Sequence, residues 1–105
     1  MKITLLTVGK IKEKYFTMAI DEYKKRLSRY CKLEIIEVAD EKTPDNASEH
    51  EEDIIRAKEG ERLTKYIKDG AYVISLAIQG KQYSSEEFAD KIDKLGINGV
   101  SHIIF

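Results

Sequence analysis

Four short apolar runs rich in β-forming residues are separated by three amphipathic stretches. This alternation limits the fold more than any other feature of the chain. The runs cover residues 2–8, 33–38, 71–78 and 101–105. Their lengths suit buried or half-buried strands, and the stretches between them carry helical repeats. The pattern therefore predicts a βαβαβαβ order: an α/β fold with a parallel sheet, helices on both faces and right-handed crossovers. At 105 residues the chain is sized for a single domain, residues 1–105. The last run, Ser101-His102-Ile103-Ile104-Phe105, reads as the opening of a strand. Open α/β sheets bind ligands beyond the carboxyl ends of their strands. The chemistry belonging to that strand is thus expected beyond Phe105.

The details sharpen this frame. Phe16, Ile20, Tyr23, Leu27 and Tyr30 recur at spacings of four and three and share one face of a first helix. Ser48 with Glu51, and Ser84 with Glu87, have the spacing of capping boxes that open a second and a third helix. Ile55, Leu63, Tyr66 and Ile67 give the second helix its apolar face, and Asp69-Gly70 is expected to close it. Gly60 inside that helix costs about 1 kcal/mol relative to alanine, which predicts close packing of another backbone there. Phe88, Ile92 and Leu95 line the third helix, with Gly96 as its expected stop. Glu34 and Glu37 interrupt the second strand and mark it as an edge strand, while the third reads as the most apolar. The polar segment 39–47, with Pro44, Asp45 and Asn46, is expected to be a mobile loop.

Charge matters here through its distribution. The net charge of -1 gives no overall pull toward nucleic acid or an anionic membrane. The first thirty residues, however, carry Lys2, Lys10, Lys12, Lys14, Lys24, Lys25, Arg26 and Arg29 against Glu13, Asp21 and Glu22. Between Asp40 and Arg62 the balance reverses. This dipolar surface is either a phosphate-facing amino-terminal side or a set of solvated helix surfaces. The single cysteine, Cys31, excludes an internal disulfide and a thiolate metal cluster. No apolar run approaches the roughly 20 residues that span a membrane, and nothing reads as a signal peptide. A soluble cytoplasmic protein is the expectation.

Most standard catalytic motifs fail. Val8-Gly9-Lys10 lacks the spacing of a phosphate loop, and no dinucleotide fingerprint follows the first strand. Thr7-Val8-Gly9 offers no acidic residue for a phosphorylation site. His50 and His102 have no ligand spacing to a second histidine or cysteine, so no metal is expected. His50 reads as a surface residue, and His102 and Cys31 as structural ones.

Two segments could carry function. Lys10, Lys12 and Lys14, beside Tyr15, follow the first strand at the ligand-binding edge of the sheet. They suit phosphate contacts with an aromatic stacking surface, or simply an exposed loop entering a helix. Leu76-Ala77-Ile78-Gln79-Gly80 follows the third strand. Aliphatic side chains with open main-chain groups suit an adenine, and an ordinary βα turn would look the same.

Residues 1–15, Glu22-Tyr23-Lys24-Lys25-Arg26-Leu27, Ile35-Ile36-Glu37-Val38 with Asp40-Glu41-Lys42, Lys58-Glu59-Gly60-Glu61-Arg62, and Leu76-Ala77-Ile78-Gln79-Gly80-Lys81 together resemble the ribosomal RNA large-subunit methyltransferase H family. The order and spacing of these segments carry the resemblance, and it runs along the whole chain. It implies a Rossmann-like α/β-knot (SPOUT) methyltransferase fold, cut before the knot, with strand order three-four-one-two. It implies a homodimer that moves a methyl group from S-adenosylmethionine to N3 of a pseudouridine in 23S rRNA of the assembled ribosome. Of the family's cofactor contacts, Leu76, Ala77, Ile78 and Gly80 have counterparts here. The principal catalytic residues are expected beyond Phe105, so residues 1–105 alone are expected to be inactive. The rival expectation is a Rossmann-like module that binds RNA or a nucleotide without catalysis.

Overall fold

The computed structural model describes residues 1–105. Four strands and three helices alternate: β1 (Lys2–Val8), α1 (Lys14–Leu27), β2 (Lys32–Val38), α2 (Glu49–Thr64), β3 (Tyr72–Val73), α3 (Ser85–Ile97) and β4 (His102–Ile104). All pairings are parallel and the sheet order is β2-β1-β4-β3. The implied strand order is therefore present, with β4 interior and β2 at an edge. Along the sheet, β1→β2 and β3→β4 step in one direction and β2→β3 in the other. With right-handed crossovers, α1 and α3 then lie on one face and α2 on the other.

The core sits where β4 enters the sheet. Ile103 and Ile104 are fully buried, and with Val38 they are the only buried apolar side chains. β1 pairs with β2 from Lys2↔Lys32 to Val8↔Val38 and with β4 from Lys2↔His102 to Thr4↔Ile104. Thr4 is buried too, and its hydroxyl shares a 2.9 Å hydrogen bond with His102 Nε2. The bond runs diagonally across the pair on one face of the sheet and satisfies a group that would otherwise be costly to bury.

Several local expectations need correction. The third strand is two residues long, not eight, and its residues are exposed. Strand length depends on a partner's length: Ile103 and Ile104 pair with Tyr72 and Val73, and the Ile74 N–H donates the last bond to the Ile104 carbonyl at 2.8 Å. Residues 74–80 thus lie in a loop despite their apolar composition. α2 stops at Thr64, so Tyr66 and Ile67 fall in the turn after it, where their N–H groups donate to Leu63 and Thr64. α3 continues through Gly96 and is closed by Gly99 at φ +92°. The Val100 N–H donates to the Leu95 carbonyl at 3.0 Å and that of Gly99 to Gly96 at 3.1 Å. That is a Schellman closure, which calls for a left-handed residue and hence glycine. Gly60 faces open space, because a β-carbon there would meet nothing within 4 Å. The close backbone approach expected from it is absent.

The two predicted capping boxes also differ. At α3 both bonds form: Ser84 Oγ accepts from Glu87 N–H, and the Glu87 carboxylate accepts from Ser84 N–H, each at 3.1 Å. At α2 Ser48 Oγ accepts from Glu51 N–H, but the Glu51 carboxylate takes the Ser48 hydroxyl instead of its N–H. The helix faces are where the spacing predicts, yet they are thinly covered. On α1 only Ile20 is half-buried, while Phe16, Tyr23 and Leu27 are exposed and Tyr30 lies beyond the helix.

Candidate functional site

The carboxyl edge of the sheet gathers three loops: residues 9–13 after β1, 39–48 after β2, and 74–84 after β3. The β1 and β2 exits are fastened together. Gly9, at φ +83°, donates its N–H to the Val38 carbonyl at 2.9 Å. Arg62 of α2 reaches back to the β2 exit. It donates from one guanidinium nitrogen to the Ala39 carbonyl at 3.0 Å and from another to the Glu41 carboxylate at 2.7 Å. Glu41 N–H donates to Glu59 Oε2 at 3.1 Å. Both ion-pair partners are about two-thirds shielded, so this bond resists salt better than a surface pair. The root of the loop expected to be mobile is therefore pinned to α2.

Sequence reading did not find this network. The resemblance marked 40–42 and 58–62 as separate segments, and nothing in one strand of residues says that Arg62 meets Glu41. The only available signal was that both segments are dense in opposite charges.

Lys10 and Lys12 lie in the β1–α1 loop, and Lys14 is the first residue of α1. All three side chains are exposed and enter none of the six ion pairs of the chain. The start of α1 has no side-chain cap and no acidic residue in its first turn. α2 and α3 both have serine caps and acidic first turns, the arrangement that complements a helix dipole. Tyr15 is 67% exposed and packs against Phe16, ring centroids 4.5 Å apart.

Leu76, Ala77, Ile78 and Gly80 lie in the loop after β3. They share the carboxyl edge with the lysines but sit beyond β4, two strand spacings or about 10 Å along the sheet. Leu76 is 78% exposed and Ile78 wholly so. The Gly80 N–H donates to the Ala77 carbonyl at 2.9 Å, and a β-carbon on Gly80 would come within 3.0 Å of that oxygen. A side chain there would push that carbonyl aside by a few tenths of an ångström, so glycine eases the turn. The main-chain groups of Leu76 and Ile78 make no backbone hydrogen bond within the chain. Two bare aliphatic side chains beside free main-chain donors and acceptors fit one wall of an adenine site.

His102 lies at the opposite, amino end of β4. Burial, with Lys2 and Lys68 nearby, pushes its pKa below the ordinary value, so it serves the sheet as a neutral imidazole. His50 is exposed in the first turn of α2. Cys31 follows α1, its thiol directed at the Leu27 carbonyl. No helix is long and apolar enough to cross a membrane.

Comparison with known proteins matches the sequence of this chain to a family. The chain is 65% identical over 103 residues to the ribosomal RNA large subunit methyltransferase H of Bifidobacterium adolescentis, covering 98% of this chain and 65% of that protein. It is 59% identical over 105 residues to the protein of the same name from Clostridium beijerinckii, and 57% to that from Clostridium kluyveri. Each of these two matches covers all of this chain and 66% of the relative. The chain thus spans just under two thirds of the length of these relatives. Their names do not favour a non-catalytic module. The family model described as "Predicted SPOUT methyltransferase" matches residues 1–105, and with the β2-β1-β4-β3 sheet this places the chain in the SPOUT methyltransferase family.

Proposed function

We propose that this chain forms the amino-terminal part of an S-adenosylmethionine-dependent methyltransferase that modifies N3 of a pseudouridine in 23S rRNA of the assembled ribosome. The observation that carries the reading is the end-to-end match to relatives named as ribosomal RNA large subunit methyltransferases. The reading extends to a cytoplasmic homodimer, in keeping with a ribosomal substrate.

When bound, S-adenosylmethionine supplies an electrophilic methyl group on a sulfonium. This chain's part is binding and placement. Leu76 and Ile78 offer aliphatic contact to the adenine, and the free main-chain groups around Ala77 offer partners for its polar edge. Gly80 allows the tight turn that presents them. Lys10, Lys12 and Lys14 hold substrate phosphates at the same edge. The transfer forms a nitrogen–carbon bond, breaks the sulfur–carbon bond and releases the N3 proton. Its rate depends on alignment and on an acceptor for that proton. The groups that take the proton are assigned to residues beyond Phe105.

The test uses ribosomes lacking the modification and methyl-labelled S-adenosylmethionine. The full-length protein is expected to label one pseudouridine of 23S rRNA at N3, located by nuclease digestion and mass spectrometry. Residues 1–105 alone are expected to label nothing. Label on another base or on protein contradicts the proposal.

A further inference from the structure

We infer that the outer face of α1 is a second RNA-docking surface, one that holds the phosphate backbone away from the reacting base. The inference rests on the rRNA reading above and adds a surface to it. Lys14 and Lys25 are eleven residues apart, which is three helical turns, so they project from the same side of α1; Arg29 follows four residues later just past its end. That side lies opposite the Phe16, Ile20, Tyr23 and Leu27 face. The row from Lys14 to Lys25 is about 16 Å long, close to the axial rise of roughly five nucleotides of one strand.

Unpaired cations are more numerous on this helix than on the other two, where Lys58 and Lys91 are the ones without an ion pair. On α2, Arg56 is held by Glu52 and Asp53, and Arg62 by Glu41. On α3, Lys94 is held by Asp90 at 2.8 Å. On α1 only Arg26 is paired, with Glu22. Lys14, Lys24, Lys25 and Arg29 are exposed and enter no ion pair. Asp21 lies within the row, one turn before Lys25, and is the one acidic residue there left unpaired, since Glu22 is taken by Arg26. Lys24 and Lys25 do favour the negative end of the helix dipole, but that accounts for neither Lys14 at the positive end nor Arg29 beyond the helix. Residues 10–30 hold seven basic and three acidic side chains in a chain of net charge -1. A polyanion is the partner that such a row complements.

The test is co-sedimentation of the full-length protein with ribosomes lacking the modification, between 50 and 300 mM salt. In the variant K25E/R29E, the slope of log affinity against log salt is expected to fall by about 1.5 in magnitude, the loss of two phosphate contacts. The variant K58E, on the opposite layer, is expected to keep the wild-type slope, and circular dichroism checks that all three proteins fold alike. An unchanged slope in K25E/R29E overturns this surface while leaving the methylation assay to judge the enzyme. K58E changes the net charge half as much as K25E/R29E, so a slope lowered half as much by K58E also overturns it, since net charge alone then governs binding. The acidic α2 of a second copy is the competing occupant. If K25E/R29E changes the sedimentation of the protein alone and not its slope with ribosomes, that occupant is right and this one is wrong.

Discussion

The two loops that flank the candidate site are built on opposite plans. The loop after β2 is tied at its root by Arg62, Glu41 and Glu59, and Gly9 binds its strand to the exit of β1. The loop after β3 is tied to the rest of the fold only at its ends, with one bond inside it from Gly80 to Ala77. Ile74 donates to Ile104 at one end, and the Ser84–Glu87 box opens α3 at the other. Between these anchors Leu76 and Ile78 stand in solvent with their main-chain groups unused. Within residues 1–105 the more polar loop is tied to the fold, and the more apolar one is exposed. The proposed cofactor contacts would use this exposed apolar turn and its free backbone groups.

The comparison can be broken at its stronger side first. Arg62→Ala removes a charge-assisted bond pair that is partly shielded, and should lower unfolding free energy by about 1–2 kcal/mol in urea titration. A change near zero would mean that the β2 loop is not held by this network. Ser84→Ala loosens the far anchor of the β3 loop and should cost about 1 kcal/mol. Its effect should be confined to α3 and the preceding loop, as read by hydrogen exchange. Gly60→Ala on α2 should stabilise the chain by roughly 0.5–1 kcal/mol, because the position is helical and its side chain would meet no atom. Destabilisation would reveal a neighbour at Gly60 and revive the packing reading of that glycine.

The smallest effect concerns pH. The His102 pKa lies below its ordinary value of 6.5, first through burial and then through Lys2 and Lys68. The unfolded chain therefore binds the proton more readily than the folded one. The contribution of His102 to stability is complete above about pH 6.5 and is lost as pH falls from there toward the lowered folded value. His102→Gln should flatten the stability profile in that window, which urea titrations at stepped pH would resolve.

Legibility followed the range of the forces involved. The βαβαβαβ order, the edge position of β2 and both serine caps were readable because strand period, interrupting glutamates and cap spacing are local signals. The length of β3 was not, since it depends on how many β4 residues stand opposite. The choice between Gly96 and Gly99 as the stop of α3 turned on a positive φ that composition does not display. The Arg62–Glu41 joint spans 21 residues of chain and exists only after α2 folds back over β1 and β2. Residues 76–80 were found because an apolar run followed by a glycine turn is itself a local signal. Their exposure was not, because it depends on which residues of the folded chain pack against them. Lys10, Lys12 and Lys14 were readable as a cluster, but their lack of carboxylate partners required the folded chain.

The measurement closest to the central claim pairs stability with cofactor binding in the double variant Leu76→Ser/Ile78→Ser of the full-length protein. The β3 loop is held to be a binding surface and not a structural one. Urea titration should then change by less than about 0.5 kcal/mol, the level of an ordinary surface substitution. Calorimetric titration with S-adenosylmethionine should weaken about tenfold or more, as expected when two aliphatic contacts are lost. Unaltered binding, or a stability loss above about 2 kcal/mol with binding retained, would contradict the assignment and return the turn to the fold.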